Sequence, residues 1–388
     1  MTGARPVIRL TDTQESFRAQ VARFAASEVA PHATAWDRED SYPLDLFARL
    51  GELGWLGVGF GEEIGGSGGG PVERCILIEE LARASAGTAL GIYVHTVLAA
   101  GALAEVASPA LRDEILPGLL SGQPKGAWAY AEPDAGADVT RARLAARREG
   151  EGFVLDGSKM YITNGTFADV ILVVARTSLE PGRLTGLAVL AVDGSSPGLG
   201  RSRMEKMGMW PSELAELHFD NCLVPAGRLV GGEDLGFREC LPVLSRGRVF
   251  GGALACGLAG AALESAVLHA TNREQFGAPL AALQAVRFNL ADMAARLRAA
   301  RALVYGAASA MAGGEDFDTD ASIAKLVASE AATYIAERAL HLHGAQGFMS
   351  DSPVQRYYRD CKVLEFGEGA NEMQREMIAR ALLTGFRC

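Results

Sequence analysis

The sequence predicts an α+β chain in three parts: an all-helical N-terminal domain, a small and mostly antiparallel β domain in the middle, and a C-terminal helical bundle. Three observations carry this. Helical periodicity fills roughly the first 120 residues and returns from about residue 235 to the end, while short period-two runs are confined between them. Helix and strand therefore segregate along the chain instead of alternating, and no G-x-G-x-x-G follows any strand-like run, which disfavours a doubly wound dinucleotide-binding sheet. The expected spans are 1–122, 123–235 and 236–388.

Thr11-x-x-Gln14 reads as a capping box, with Phe17, Val21 and Phe24 at helical spacing after it. Further helical stretches at 44–56, 72–84, 90–106 and 111–120 are separated by Gly, Pro and Ser. The glycine-rich run at 65–70 has no strand before it and no Gly-Lys-Ser/Thr after it, so a connecting loop is expected there and not a phosphate cradle. After Gly122-Gln123-Pro124 come β-type runs at 142–148, 153–156, 170–175, 187–192 and 217–219. The C-terminal part carries one apolar stripe at Val286, Leu290, Met293, Leu297 and Val304, and another at Ile323, Leu326, Val327, Tyr334 and Ile335. The small-residue stretch 251–262 suits a helix packed closely against its neighbours.

Composition narrows the function. At 388 residues and 49% hydrophobic, the chain can bury a large core. Its net charge of −10 repels nucleic acid. The six cysteines (Cys75, Cys222, Cys240, Cys256, Cys361 and Cys388) form no C-x-x-C pair and read as free thiols of a reducing compartment, with no metal site expected. The N-terminus lacks an apolar signal stretch and the apolar run 249–263 is cut by Glu264, so a cytoplasmic protein that does not span a membrane is expected.

Two segments stand out chemically: AYAEPDAGAD at 129–138 and GSKMYITNG at 157–165. Glu132-Pro133 and Gly136 shape a loop whose backbone can approach a ligand, and Tyr161 and Thr163 offer an aromatic face and a hydroxyl. On these residues alone, two structural turns are an equal reading. By the same token Glu368, between two glycines, reads alone as a surface carboxylate. His95, on the helical stretch 90–106, reads more readily as a satisfied core or surface residue than as a group facing a substrate.

Taken in order, AEPDAGAD, KMYITNG, FDNCLVP at 219–225, NREQFG at 272–277 with Gln284, and GEGANEMQR at 367–375 resemble the acyl-CoA dehydrogenase family over nearly the whole chain. The resemblance implies FAD between the β domain and the C-terminal helices. It places Tyr130, Ala131, Ala137, Tyr161 and Thr163 at the flavin. It assigns Arg273, Phe276 and Gln284 to the FAD of a neighbouring subunit, hence a homotetramer or homodimer, and His341, Gly344, Ala370 and Glu372 to further cofactor contacts. It implies α,β-dehydrogenation of an acyl thioester, carried by coenzyme A or an acyl carrier protein, to the 2-enoyl thioester. Glu368 is then the base that takes the α-proton, flavin N5 the acceptor of the β-hydride, and an electron-transfer flavoprotein the next acceptor. Ala137, Ser245, Arg248, Gly367 and Gly369 would line the substrate, with Arg248 also orienting the catalytic loop. Some relatives carry the base one residue before this arginine; here that residue is Gly247, which leaves Glu368.

The chain also departs from this pattern. Ala131 and Ala137 lack hydroxyls that usually reach the flavin, Tyr161 replaces a common tryptophan, and His341 a frequent glutamine. Gly367 replaces a tyrosine of the straight-chain enzymes, and with Gly247 opposite it suggests a roomier site for a branched, cyclic or functionalised acyl group. Two other classes stay open: a flavin oxidase or monooxygenase on the same scaffold, and a non-catalytic helical binding protein with a degenerate flavin site.

Overall fold

The computed structural model describes residues 9–178 and 184–385. Seven helices come first: α1 (Asp12–Phe24), α2 (Ala33–Glu39), α3 (Asp45–Glu52), α4 (Pro71–Ala84), α5 (Ala86–Tyr93), α6 (Ala100–Val106) and α7 (Pro109–Ser121). Eight strands follow: β1 (Gly126–Ala129), β2 (Ala145–Glu149), β3 (Gly152–Thr163), β4 (Val170–Arg176), β5 (Leu187–Asp193), β6 (Leu199–Arg203), β7 (Leu214–Pro225) and β8 (Leu229–Val230). The C-terminal part holds α8 (Gly236–Glu239), α9 (Leu241–Asn272), a hairpin of β9 (Glu274–Gln275) and β10 (Ala278–Pro279), α10 (Gln284–Ala312), α11 (Asp318–His343), α12 (Pro353–Asp360), α13 (Val363–Phe366) and α14 (Asn371–Leu383). The segregated α–β–α order expected from the periodicity is the observed one.

The capping box at Thr11 forms as read, with Gln14 N–H donating to Thr11 Oγ1 at 3.2 Å and Thr11 N–H to Gln14 Oε1 at 3.0 Å. The helix expected at 90–106 is instead α5 and α6 joined by a π-helical turn, Val94–Ala99. The residues at 65–70 are a connecting loop, pinned where Ser67 Oγ donates to Gly54 O at 2.6 Å.

The sheet runs β6-β7-β3-β2-β4-β5-β8, with β1 added parallel to β4 and most other pairs antiparallel. β4 explains why its sequence is continuously apolar. Ile171, Val173 and Ala175 enter the core of the sheet, while Leu172 and Val174 join the helical core on the other face, so both faces are buried. β1 and the polar edge strand β6 went unread because neither carries a long alternating pattern.

α9 is the central helix. A side chain on Gly257 would begin 2.2 Å from Glu79 O of α4, and one on Gly252 would begin 2.8 Å from Val304 of α10, so the small residues set how closely these helices pack. Glu79 itself is buried and ties α4 to α10, accepting from Arg301 Nε at 2.6 Å and Tyr305 Oη at 2.8 Å. The stretches Ala86–Val106 and Leu241–Asn272 are long and apolar enough to cross a membrane, but 78% and 67% of their most apolar windows are buried in the protein interior. Cys75, Cys222, Cys240, Cys256 and Cys361 are buried free thiols, and Cys388 lies outside the described residues.

His95 is a fully buried structural link with both ring nitrogens engaged. Its Nε2 lies 2.8 Å from Leu119 O and its Nδ1 accepts the Gly126 N–H at 2.9 Å, joining α7 to β1. Burial is the main reason its pKa falls from 6.5 to about 4. Because the folded pKa is the lower one, the unfolded chain takes up a proton that the fold refuses as the pH falls through 6.5. Wild-type stability is therefore expected to drop by about 3 kcal/mol between pH 7 and 4 through this group. Denaturant titrations at both pH values check this, and the drop should shrink in His95→Gln.

Candidate active site

Glu368 sits in the turn between α13 and α14, and the turn is unusual in backbone terms. Glu368 has φ +56° and Gly369 φ +82°. A left-handed glutamate costs about 1–3 kcal/mol and persists only where the surroundings hold it. Here they do. Gln374 Nε2 donates to Glu368 O at 3.1 Å and to Gly369 O at 3.0 Å. From α11, the buried Lys325 ammonium donates to Gly369 O at 2.8 Å, Asn371 Oδ1 at 2.8 Å and Glu365 O at 3.3 Å. Ser329 Oγ completes the clamp by donating to Asn371 Oδ1 at 3.1 Å.

The side chain of Glu368 points into α9. A side chain on Gly247 would begin 2.8 Å from Glu368 Oε2, and one on Gly251 would begin 3.5 Å from Glu368 Cγ. These two glycines are one helical turn apart and form the slot that receives the carboxylate. Burial raises the pKa of Glu368, opposed by a hydrogen bond from Tyr93 and by the charges of Arg248 and Lys325. Arg248 is itself half-buried, with Nη1 donating to Ser245 Oγ at 3.3 Å, while its Nε is buried without a hydrogen-bond partner.

The space opposite Gly247 is filled, contrary to the roomier site read from the sequence. Tyr93 Oη would lie 2.9 Å from a side chain started there, so Gly247 is small because a phenol and a carboxylate crowd it. Gly367 does open outward: an added side chain would meet only Val363 O, at 3.3 Å.

The two β-domain motifs come together through a buried ion pair. Lys159 of β3 donates to Glu132 Oε1 at 2.7 Å and to Tyr130 O at 3.0 Å, and Glu132 also accepts the N–H groups of Arg143 and Leu144. Met160 N–H donates to Ala131 O at 2.9 Å. Tyr130 stacks on Phe237 of α8 at 5.6 Å and donates to Gly136 O at 2.7 Å. Its hydroxyl is pushed up to about 12 by burial and by the negative charges of Asp138 and Glu368. An irregularity in β3 between Lys159 and Ile162 turns Tyr161 out at φ +64°, leaving it 59% exposed. Thr163 ends β3, half-buried, and Ala137 is exposed on the loop.

The remaining cofactor candidates stand elsewhere. Arg273 leads into the β9–β10 hairpin, whose tip is Phe276 and Gly277 at φ +54° and +80°. Phe276 is 97% exposed, and Gln284 is exposed at the start of α10. His341 and Gly344 are exposed at the end of α11. Ala370 caps α14, and Glu372 is exposed in its first turn.

Sequence models of the acyl-CoA dehydrogenase N-terminal, middle and C-terminal domains match residues 11–123, 127–222 and 234–383. The chain belongs to the acyl-CoA dehydrogenase family. An acyl-CoA dehydrogenase of Bacillus subtilis is 38% identical over 379 residues, covering 97% of this chain and 100% of that one. The structure of butyryl-CoA dehydrogenase from Megasphaera elsdenii superimposes with a TM-score of 0.94 at 35% identity, covering 97% and 99% of the two chains. A prolyl acyl carrier protein oxidase superimposes at 0.92 with 28% identity, covering 96% and 100%. Family members are FAD-dependent flavoproteins that dehydrogenate acyl thioesters, and this chain is an oxidoreductase of that type, acting on CH–CH groups. The residues present fit the cofactor. Tyr161 offers an exposed aromatic face for a planar ring, and the Tyr130 loop, fixed by Lys159, brings backbone within reach of it.

Tyr93, Gly251 and Lys325 were not singled out from sequence. Lys325 did leave a signal, as a lone cation in a small and apolar helical stretch; Tyr93 left none, since an aromatic residue in an apolar helix reads as core.

Proposed function

We propose that this protein oxidises an acyl thioester to its 2-enoyl form, with Glu368 abstracting the α-proton. The observation that carries this reading is the Glu368 turn: a carboxylate held in a left-handed backbone and seated in the slot between Gly247 and Gly251 of α9. A thioester α-proton is weakly acidic, so a base whose pKa is raised by burial suits it. Arg248, with an unpartnered Nε next to that slot, orients the thioester end. The Glu368 N–H, turned by the positive φ, donates to the thioester oxygen as charge develops there, a contribution of about 3 kcal/mol. Bound FAD supplies the hydride acceptor for the β-hydrogen.

Quaternary structure is part of the same proposal. The Phe276 hairpin, with Leu268, Leu283 and Phe288, exposes apolar surface that a second copy covers, bringing Arg273 and Gln284 to its cofactor. The acceptor of the electrons is an electron-transfer flavoprotein, and the protein works in the cytoplasm; the family resemblance and bacterial relatives support both.

Anaerobic flavin bleaching against a panel of CoA and carrier-protein thioesters tests cofactor, reaction and substrate together. The open side at Gly367 leads us to expect faster bleaching with branched, cyclic or functionalised acyl groups. A preference for unbranched medium chains would remove the substrate part of the proposal, and no bleaching with any thioester would remove the whole.

A further inference from the structure

Tyr93 is almost wholly buried at the C-terminal end of α5, and the reaction described above gives it no task. Its hydroxyl donates to the Gly247 carbonyl at 3.1 Å. The same oxygen and Glu368 Oε2 crowd one point above Gly247, 2.9 and 2.8 Å from where a side chain would start there, so the phenol and the carboxylate face each other. A phenol has a single proton to donate, and two acceptors face it. An ionised glutamate can only accept, whereas a protonated one also donates. The protonation state of Glu368 therefore decides which acceptor Tyr93 serves.

We propose that Tyr93 is a positioning residue for the base. Its O–H donates to the Glu368 carboxylate in the resting enzyme and turns to the Gly247 carbonyl once Glu368 carries a proton, whereupon the Glu368 O–H donates to Tyr93 Oη. No proton leaves Tyr93; the only proton that changes owner passes from the substrate α carbon to Glu368. The consequence is that Glu368 keeps a hydrogen bond in both states inside the slot between Gly247 and Gly251, and its carboxyl stays aimed throughout. The proposal rests on the reading of Glu368 as the base.

The other groups that face Glu368 act by charge or from the side. Arg248 on α9 and Lys325 on α11 pull its pKa down, with Asp318 facing Arg248, and Glu365 and Glu372 facing Lys325. Tyr130, on the β-domain loop, feels the charge of Glu368, which helps to raise its own pKa. Tyr93 adds a hydrogen bond to the ionised form and so also lowers the pKa that burial raises.

Tyr93→Phe keeps the ring and removes only the hydroxyl. The acid limb of kcat/KM is expected to move up by about one pH unit, because the ionised carboxylate loses a donor. A second readout needs no turnover and uses wild-type holoenzyme with ring-labelled tyrosine. The Tyr93 C–O stretch, assigned by its loss in Tyr93→Phe, should shift over the same pH interval as the Glu368 carboxyl band, assigned by its loss in Glu368→Gln. An acid limb that depends on Glu368 but does not move in Tyr93→Phe, or a Tyr93 band indifferent to Glu368, overturns the role of Tyr93 alone. A wild-type acid limb in which no Glu368 band titrates overturns the base assignment itself.

Discussion

Glu368→Gln is expected to lower kcat by about 10³- to 10⁴-fold while leaving the purified protein yellow and folded. The amide has the shape of the carboxylate, fits the slot between Gly247 and Gly251, and can still accept from Tyr93. What it cannot do is take a proton from carbon. Steady-state turnover with the best thioester of the panel, beside the visible spectrum and thermal melt of the same sample, checks both halves. The wild-type acid limb should lie above the ordinary carboxylate value of 4.5, because burial outweighs the Tyr93, Arg248 and Lys325 contributions.

How much of this was legible in the sequence depended on whether a signal was local. The α–β–α order was, because periodicity is a property of short windows, and so was the Thr11 capping box. Strand lengths were not: β3 runs through the KMYIT motif to Thr163, where an irregularity at Tyr161 breaks the alternation that marks a strand. Glu368 could be found only through the company of its motif, since nothing in Gly-Glu-Gly says that the side chain is desolvated. That fact resides in Gly247 and Gly251, more than a hundred residues away in the chain. Gly247 also shows how a correct residue can be misread. A small side chain was taken as empty space, whereas the structure fills that space with Tyr93 and Glu368. The buried pair Lys159–Glu132 was hidden similarly, because both members looked like ordinary motif charges until they met across a strand and a loop.

Lys325→Met carries the second large expected effect, a loss of about 10²-fold in kcat/KM, from a turn that no longer holds the base in place. The methionine fills the volume but leaves Gly369 O, Glu365 O and Asn371 Oδ1 without their shared donor. Burial lowers the Lys325 pKa to about 8, while Glu368, Glu365 and Glu372 hold it up. Above that value the neutral amine has two N–H groups for three acceptors, so wild-type activity should fall on an alkaline limb near pH 8 that is missing in Lys325→Met. The stability sign is opposite. The folded pKa lies below the ordinary 10.5, so the unfolded chain holds the extra proton between about 8 and 10.5, and this group's contribution to stability rises there. Activity that falls while the melt does not would separate a loosened turn from unfolding.

The most direct test of the central claim isolates proton abstraction from oxidation. In deuterated buffer, an acyl thioester whose β carbon is fully substituted can exchange its α-hydrogens but cannot be dehydrogenated. Wild-type holoenzyme is predicted to wash deuterium into the α position, with the same acid limb as turnover, and Glu368→Gln to leave that position unlabelled. Exchange at the wild-type rate in Glu368→Gln would contradict the assignment of Glu368 as the base.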